Sequence, residues 1–130
     1  MIVLDASAAI EWLLRTAIGS RIDARLGHGD TIHAPQLLDV EVAQVLRRFA
    51  AAGAITPARA CAALDDFVDL PVIRYAHTPL LSRLWDLRGN LTAYDAAYIA
   101  LAEALDAVLV TCDGRAAAAP GHRARIEVFR

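Results

Sequence analysis

Lysine is missing from this chain: all 13 positively charged residues are arginines. Any reaction that needs a catalytic lysine is thereby excluded, a phosphotransfer receiver among them. Cysteine is nearly as scarce. Cys61 and Cys112 show neither metal-ligand nor disulfide spacing, which suits a reducing, cytoplasmic setting and reads as two small buried hydrophobes. His28, His33, His77 and His122 stand in no ligand-like spacing and are expected to cap, pack or face solvent. No uncharged apolar run nears the ~20 residues of a transmembrane helix. No basic segment leads an apolar run with a cleavage site, so neither a signal peptide nor a membrane partner is expected. The net charge of −2 excludes a polyanion binder held by overall positive charge. Internal repeats and linkers are absent.

What is present is apolar and periodic. The chain has 130 residues, 57% of them hydrophobic, enough for a single domain over 1–130 with one core. Strand-like runs fall at Ile2–Leu4, Thr31–His33, Val72–Arg74, Ala107–Val110 and Ile126–Phe129. Helical patterns separate them: Ser7 to Arg15, Ile18 to Leu26, and Leu37 to Ala52 stopped by Gly53. Two more open on Thr56-Pro57 and Thr78-Pro79, each read as a cap with proline at the first helical position. The last, capped by Thr92, runs to about Leu105. Strands alternating with helices predict an α/β fold with a mainly parallel sheet, whose sites sit at the carboxyl ends of the strands.

Four acidic residues fall at suggestive places. Asp5 ends the apolar run Ile2-Val3-Leu4, and Asp113 follows the run at 107–110. Asp95 stands three residues after Thr92 in a capping-box pattern. Glu41 lies about 70° from the centre of the stripe Leu38, Val42, Val45 and Phe49, at ~100° per residue; Arg48 is its one cation within reach. Each has a local explanation, as a cap, a turn residue or a solvated shoulder. Brought to one sheet edge, however, four like charges oppose folding unless a cation joins them. Oxygen ligands suit a hard divalent ion such as Mg²⁺ or Mn²⁺.

The stretches "MIVLDASAAIEWLL", "LLDVEVAQVL", "LTAYDAAYIALAEAL" and "VLVTCDGRAAAAPG" together resemble the PIN-domain family, and within it the toxin ribonucleases of VapBC toxin–antitoxin pairs. The resemblance covers essentially the whole chain. It implies a PIN-like three-layer α/β/α fold and a Mg²⁺- or Mn²⁺-dependent endoribonuclease leaving a 5′-phosphate and a 3′-hydroxyl. Asp5, Glu41, Asp95 and Asp113 occupy the family's acidic quartet, with Asp5, Asp95 and Asp113 expected to hold metal. Glu41 would complete the outer shell or orient the attacking water. Ser7 and Thr111 match the small hydroxyl positions beside the first and last acids. Arg115 departs from the large apolar residue that many members carry after the last acid. Arg88 and Arg115, with Arg123 and Arg125, are candidates for RNA-backbone contact. The expected partners are RNA, a cognate antitoxin and a second copy of the chain, as a homodimer or as a heterotetramer or larger with the antitoxin. Trp12 and Trp85 are candidate anchors at such contacts. A catalytically inactive scaffold that binds RNA or a protein is the alternative; an aspartate-nucleophile phosphatase is excluded, because Ser7 stands where its second aspartate is needed.

Overall fold

The structure, a computed structural model, describes residues 1–27 and 29–130. His28 lies outside the described residues. Five strands form one sheet: β1 (Ile2–Leu4), β2 (Ile32–Pro35), β3 (Val72–Tyr75), β4 (Val108–Thr111) and β5 (Ile126–Val128). Their order is β3-β2-β1-β4-β5, and all four pairings are parallel. Each parallel connection must cross over a face of the sheet, which the intervening helices do. Helices α1 (Ala6–Leu13), α2 (Ala17–Leu26), α3 (Leu37–Ala51) and α4 (Pro57–Asp69) connect β1 to β2 to β3. A 3-10 turn (Thr78–Leu80), α5 (Leu81–Asp86) and α6 (Ala93–Leu105) return the chain to β4, and α7 (Gly114–Ala118) leads to β5.

The order reverses direction between β1 and β4. Right-handed crossovers running one way from β1 and the other way toward β5 place helices on both faces. That is the three-layer α/β/α sandwich expected. Residues Ile2, Val3 and Leu4 are fully buried, as a central strand covered on both faces requires. Helix α6 is buried from Ala96 through Ala102; its short alanine side chains let it lie close against the sheet. Gly53, at φ +73°, supplies the left-handed residue just past the end of α3.

Some local expectations need correction. Thr78 does not cap a helix; the chain makes a 3-10 turn there before α5, which ends at Asp86. Helix α7 was not anticipated, since its five residues are too few to show a period. Cys61 is exposed rather than buried, while Cys112 is half-buried. Three histidines do cap or pack: His33 is buried between Thr31 and the Tyr75 hydroxyl. His77 Nε2 accepts the Leu37 N–H at 3.0 Å, serving the start of α3 where Gln36 makes no side-chain cap bond. His122 Nε2 lies 3.2 Å from the Ala116 carbonyl.

Candidate active site

Strands β1 and β4 are neighbours at the reversal of strand order, where a doubly wound sheet opens a crevice at its carboxyl edge. Asp5 and Asp113 follow those two strands. Asp5 is the N-cap of α1, its Oδ1 accepting the Ala8 N–H at 3.0 Å. The Ser7 hydroxyl donates to the same oxygen at 2.7 Å, and the Thr111 hydroxyl donates to Oδ2 at 2.5 Å. Each hydroxyl has a single proton, so both are committed to this carboxylate. In return, Ser7 Oγ accepts the Cys112 N–H and Thr111 Oγ1 accepts the Asp113 N–H, both at 2.9 Å. Ser7 and Thr111 thus lock the loop after β4 onto the head of α1 through Asp5.

Three donors favour a charged Asp5, yet burial outweighs them and holds its carboxyl above the ordinary carboxylate range. The nearby Asp95 charge pushes the same way. Glu41, half-buried on α3, is likewise raised by burial, with Asp5 and Asp95 adding to the effect. Asp95 is raised by burial and then by Asp113, with the Thr92 hydroxyl offsetting part of it. Each of the four acids thus lies within electrostatic reach of at least one other. The helix-cap explanations are not rivals to that arrangement: Thr92 Oγ1 does accept the Asp95 N–H at 3.2 Å, and Asp113 caps α7.

The pocket gathers its acids without closing on them. Among the described residues no three acidic, histidine or cysteine groups are close enough to ligate one ion. Asp113 turns to Arg115, whose Nε and Nη2 reach its two carboxylate oxygens at 3.2 and 3.0 Å. This guanidinium holds the Asp113 carboxyl below the ordinary range. Glu41 turns to Tyr98, whose hydroxyl donates to Oε1 at 2.6 Å; Arg48 plays no part. The donor set still fits a hard divalent cation, since it offers only oxygens. One of them, Asp5 Oδ2, has accepted a single hydrogen bond and keeps a lone pair.

Tyr98 is the side chain beside Glu41 that sequence reading did not single out. It lies three residues after Asp95, so α6 turns both toward the pocket, and burial with the Glu41 charge pushes its phenol well above the usual range. Cys112 sits beside the pocket, and burial, with the Asp5 and Glu11 charges, pushes its thiol up to about 11. Such a thiol is a poor nucleophile at neutral pH. Of the candidate arginines only Arg115 touches an acid of the pocket. Arg88 lies over the Trp85 ring at 4.8 Å and donates to the Trp85 carbonyl. Arg125 pairs with Asp106, at the far end of α6 from Asp95. Trp12 donates its indole N–H to Asp23, while Trp85 is 65% exposed.

Fold and pocket define a class: a doubly wound α/β domain with an acidic pocket at its switch point. The PIN domain family model matches residues 2–121, and the chain belongs to that family. Ribonuclease VapC12 of Mycobacterium tuberculosis is 44% identical over 128 residues, 98% of each chain. The crystal structure of PAE2754 from Pyrobaculum aerophilum superposes with a TM-score of 0.74 at 27% identity, over 98% of this chain and 83% of that one. VapBC2 from Rickettsia felis, solved bound to a promoter DNA fragment, matches over both full lengths with a TM-score of 0.73 and 15% identity, a likeness of fold.

Proposed function

We propose that this chain is the toxin of a toxin–antitoxin pair, an endoribonuclease that hydrolyses RNA phosphodiester bonds with Mg²⁺ or Mn²⁺. The observation that carries the reading is the crowding of Asp5, Glu41 and Asp95 at one sheet edge, each raised by burial and two of them by named acidic neighbours within that trio. The family and its ribonuclease relatives support the substrate class. Asp5, Asp95 and Asp113 would hold the ion; when bound, it supplies an activated water and charge stabilisation at the phosphate. Glu41, fixed by the Tyr98 hydroxyl, orients the attacking water and accepts its hydrogen bond. Ser7 and Thr111 keep Asp5 aimed into the pocket. In-line attack leaves a 5′-phosphate and a 3′-hydroxyl.

The partners follow from the same reading: RNA as substrate, a cognate antitoxin that silences the chain, and self-association as a homodimer or, with antitoxin, as a heterotetramer or larger. The Rickettsia felis complex supports an antitoxin partner. No described helix is long and apolar enough to cross a membrane, and we place the activity in the cytoplasm. The test is cleavage of structured RNA by purified chain freed of antitoxin. Mg²⁺ or Mn²⁺ is expected to support cutting, and EDTA and Asp5→Asn to abolish it. Equal cutting by Asp5→Asn assigns the activity to a contaminant. The inactive-scaffold alternative draws on one observation, Asp113 committed to Arg115; RNA binding without cleavage in either metal would favour it.

A further inference from the structure

Four carboxylates repel an incoming phosphate, and a fixed cation beside them would offset part of that repulsion alongside any bound metal. Five of the 13 arginines are already held in ion pairs, Arg115 by Asp113. Arg25 is paired with Asp30 and Glu127, Arg74 with Asp39, Arg83 with Glu103 and Arg125 with Asp106. Arg130 differs. Strands β4 and β5 pair with Thr111 opposite Val128, and the Phe129 N–H bonds the Thr111 carbonyl at 2.9 Å. Arg130 thus follows β5 beside the turn that leads from β4 through Asp113 into α7. The Arg130 guanidinium lies against Gly114: a Cβ placed on that glycine would stand 3.1 Å from Cζ, Nη1 and Nη2 alike. The missing side chain lets the guanidinium sit a few tenths of an ångström closer than a Cβ would allow. The strand end is pinned there, since Arg21 donates to the Arg130 carbonyl at 2.9 Å and stacks over Phe129 at 5.6 Å. Yet among the described residues the Arg130 guanidinium itself makes no hydrogen bond or ion pair, leaving five N–H donors unused.

We propose that Arg130, seated on Gly114, the residue after Asp113, binds a backbone phosphate of the RNA near the scissile bond. A planar guanidinium with free donors suits bidentate contact to a phosphate. A contact of this kind is indifferent to base identity and fixes where the strand lies. The identity of the anion rests on the ribonuclease reading; the seat on Gly114 does not.

The test is binding of a fluorescently labelled single-stranded RNA to the full chain carrying Asp5→Asn, followed by anisotropy without added metal from about 50 to 200 mM salt. Arg130→Gln is expected to weaken binding about fivefold and to reduce the slope of log affinity against log salt by about 0.7, the loss of one single-strand phosphate contact. Gly114→Ala keeps every charge and pushes the guanidinium outward by a few tenths of an ångström, and is expected to weaken binding in the same direction but by less than Arg130→Gln. Arg47→Gln, which removes an equal charge from the exposed face of α3, is expected to leave the slope in place. Circular dichroism melts check that each variant folds. Equal effects of Arg130→Gln and Arg47→Gln, or none from either, would overturn the proposal. So would an Arg130→Gln that binds RNA normally but loses capture of an acidic partner protein. Cleavage is scored separately on chain with Asp5 intact: cutting that survives Arg130→Gln with unchanged KM sinks this inference alone. Failure to cut in Mg²⁺ or Mn²⁺, with Arg130-dependent binding intact, sinks the nuclease reading and leaves the surface standing.

Discussion

Two sets of carboxylates in this protein share a chemistry and are treated in opposite ways. Asp30 receives the N-terminal ammonium at 2.9 Å and Arg25 at 2.7 Å, and both pull its carboxyl below the ordinary range. Glu103, its side chain 4% exposed, is pulled down by Arg83 and further by the Arg123 N–H. Asp5, Glu41 and Asp95, at the carboxyl edge of the sheet, form no ion pair among the described residues and are all raised by burial, although the Arg115 charge offsets part of the rise at Asp95. The first set holds helices and strands together. The second is a cost to folding that a bound cation, as proposed above, would offset. Asp113 stands between the two, within the pocket yet neutralised by Arg115.

The comparison breaks most visibly at Asp5. Replacing it with asparagine keeps an acceptor for the Ala8 N–H, since Asn caps helices about as well as Asp, and removes the most buried charge. RNA cleavage is expected to fall at least about a thousandfold, on the order of the several kcal/mol a metal ion lends to such chemistry. The melting temperature of the metal-free protein is expected to hold or rise. A steep fall in melting temperature would mean that Asp5 belongs with Asp30 and Glu103 as a structural acid.

Glu103 supplies the opposite sign. Glu103→Gln leaves the Arg83 guanidinium and the Arg123 N–H without their charged acceptor. Because Arg83 is about one-third exposed, solvent screens part of the loss, and about 1–2 kcal/mol of stability is expected to go. Denaturant unfolding measures it, with RNA cleavage per folded molecule unchanged. A loss of cleavage at unchanged stability would draw Glu103 into the active machinery and blur the division.

Much of this division is legible in the order of residues alone. Residues 2–4 and 107–110 read as strands because continuous apolar runs leave a parallel, doubly covered strand as the simplest outcome. The acid after each then falls at a carboxyl end by topology. What stays hidden in the sequence are the pairings across elements. Glu41 offers Arg48 as a partner on its own helix, but the fold gives it Tyr98, 57 residues away. The guanidinium of Arg130 on Gly114 depends on register between β4 and β5, which no local pattern encodes. Helix α7 escapes because four alanines in a row carry no apolar stripe.

Tyr98→Phe sharpens the boundary between holding and reacting groups. It deletes one hydroxyl whose only described partner is Glu41. A net hydrogen bond to a charged group contributes about 1.5–3 kcal/mol, but Glu41 is half-exposed and can bond water instead, so about 1 kcal/mol or less of stability is at stake. Cleavage is expected to drop about tenfold, in kcat rather than in KM, because Glu41 would lose its fixed orientation without losing its charge. A change in KM alone would place Tyr98 with the RNA-binding surface.

The smallest effect tests the raised acids directly. Asp5, Glu41 and Asp95 hold protons more tightly folded than unfolded, so between the ordinary carboxylate range and their raised values the folded state binds more protons. Stability then rises as pH falls through that window. Asp30, Glu103 and Asp113 act oppositely, but their contribution is lost only as pH drops through the ordinary range and below it. In EDTA the melting temperature is therefore expected to climb by about 1–3 °C from pH 7 toward pH 5 before falling at lower pH. Saturating Mg²⁺ binds the charged form and raises the whole curve, and it should flatten or invert that climb. Asp5→Asn is expected to shrink the climb without metal. Buried His33, its imidazole held below the ordinary range, pulls the other way between pH 7 and pH 5, so the deciding outcome is the difference between variants. A melting curve whose pH dependence in EDTA is the same with Asp5 and with Asp5→Asn would show that Asp5 is not raised, and the case for a cation beside it would go with it.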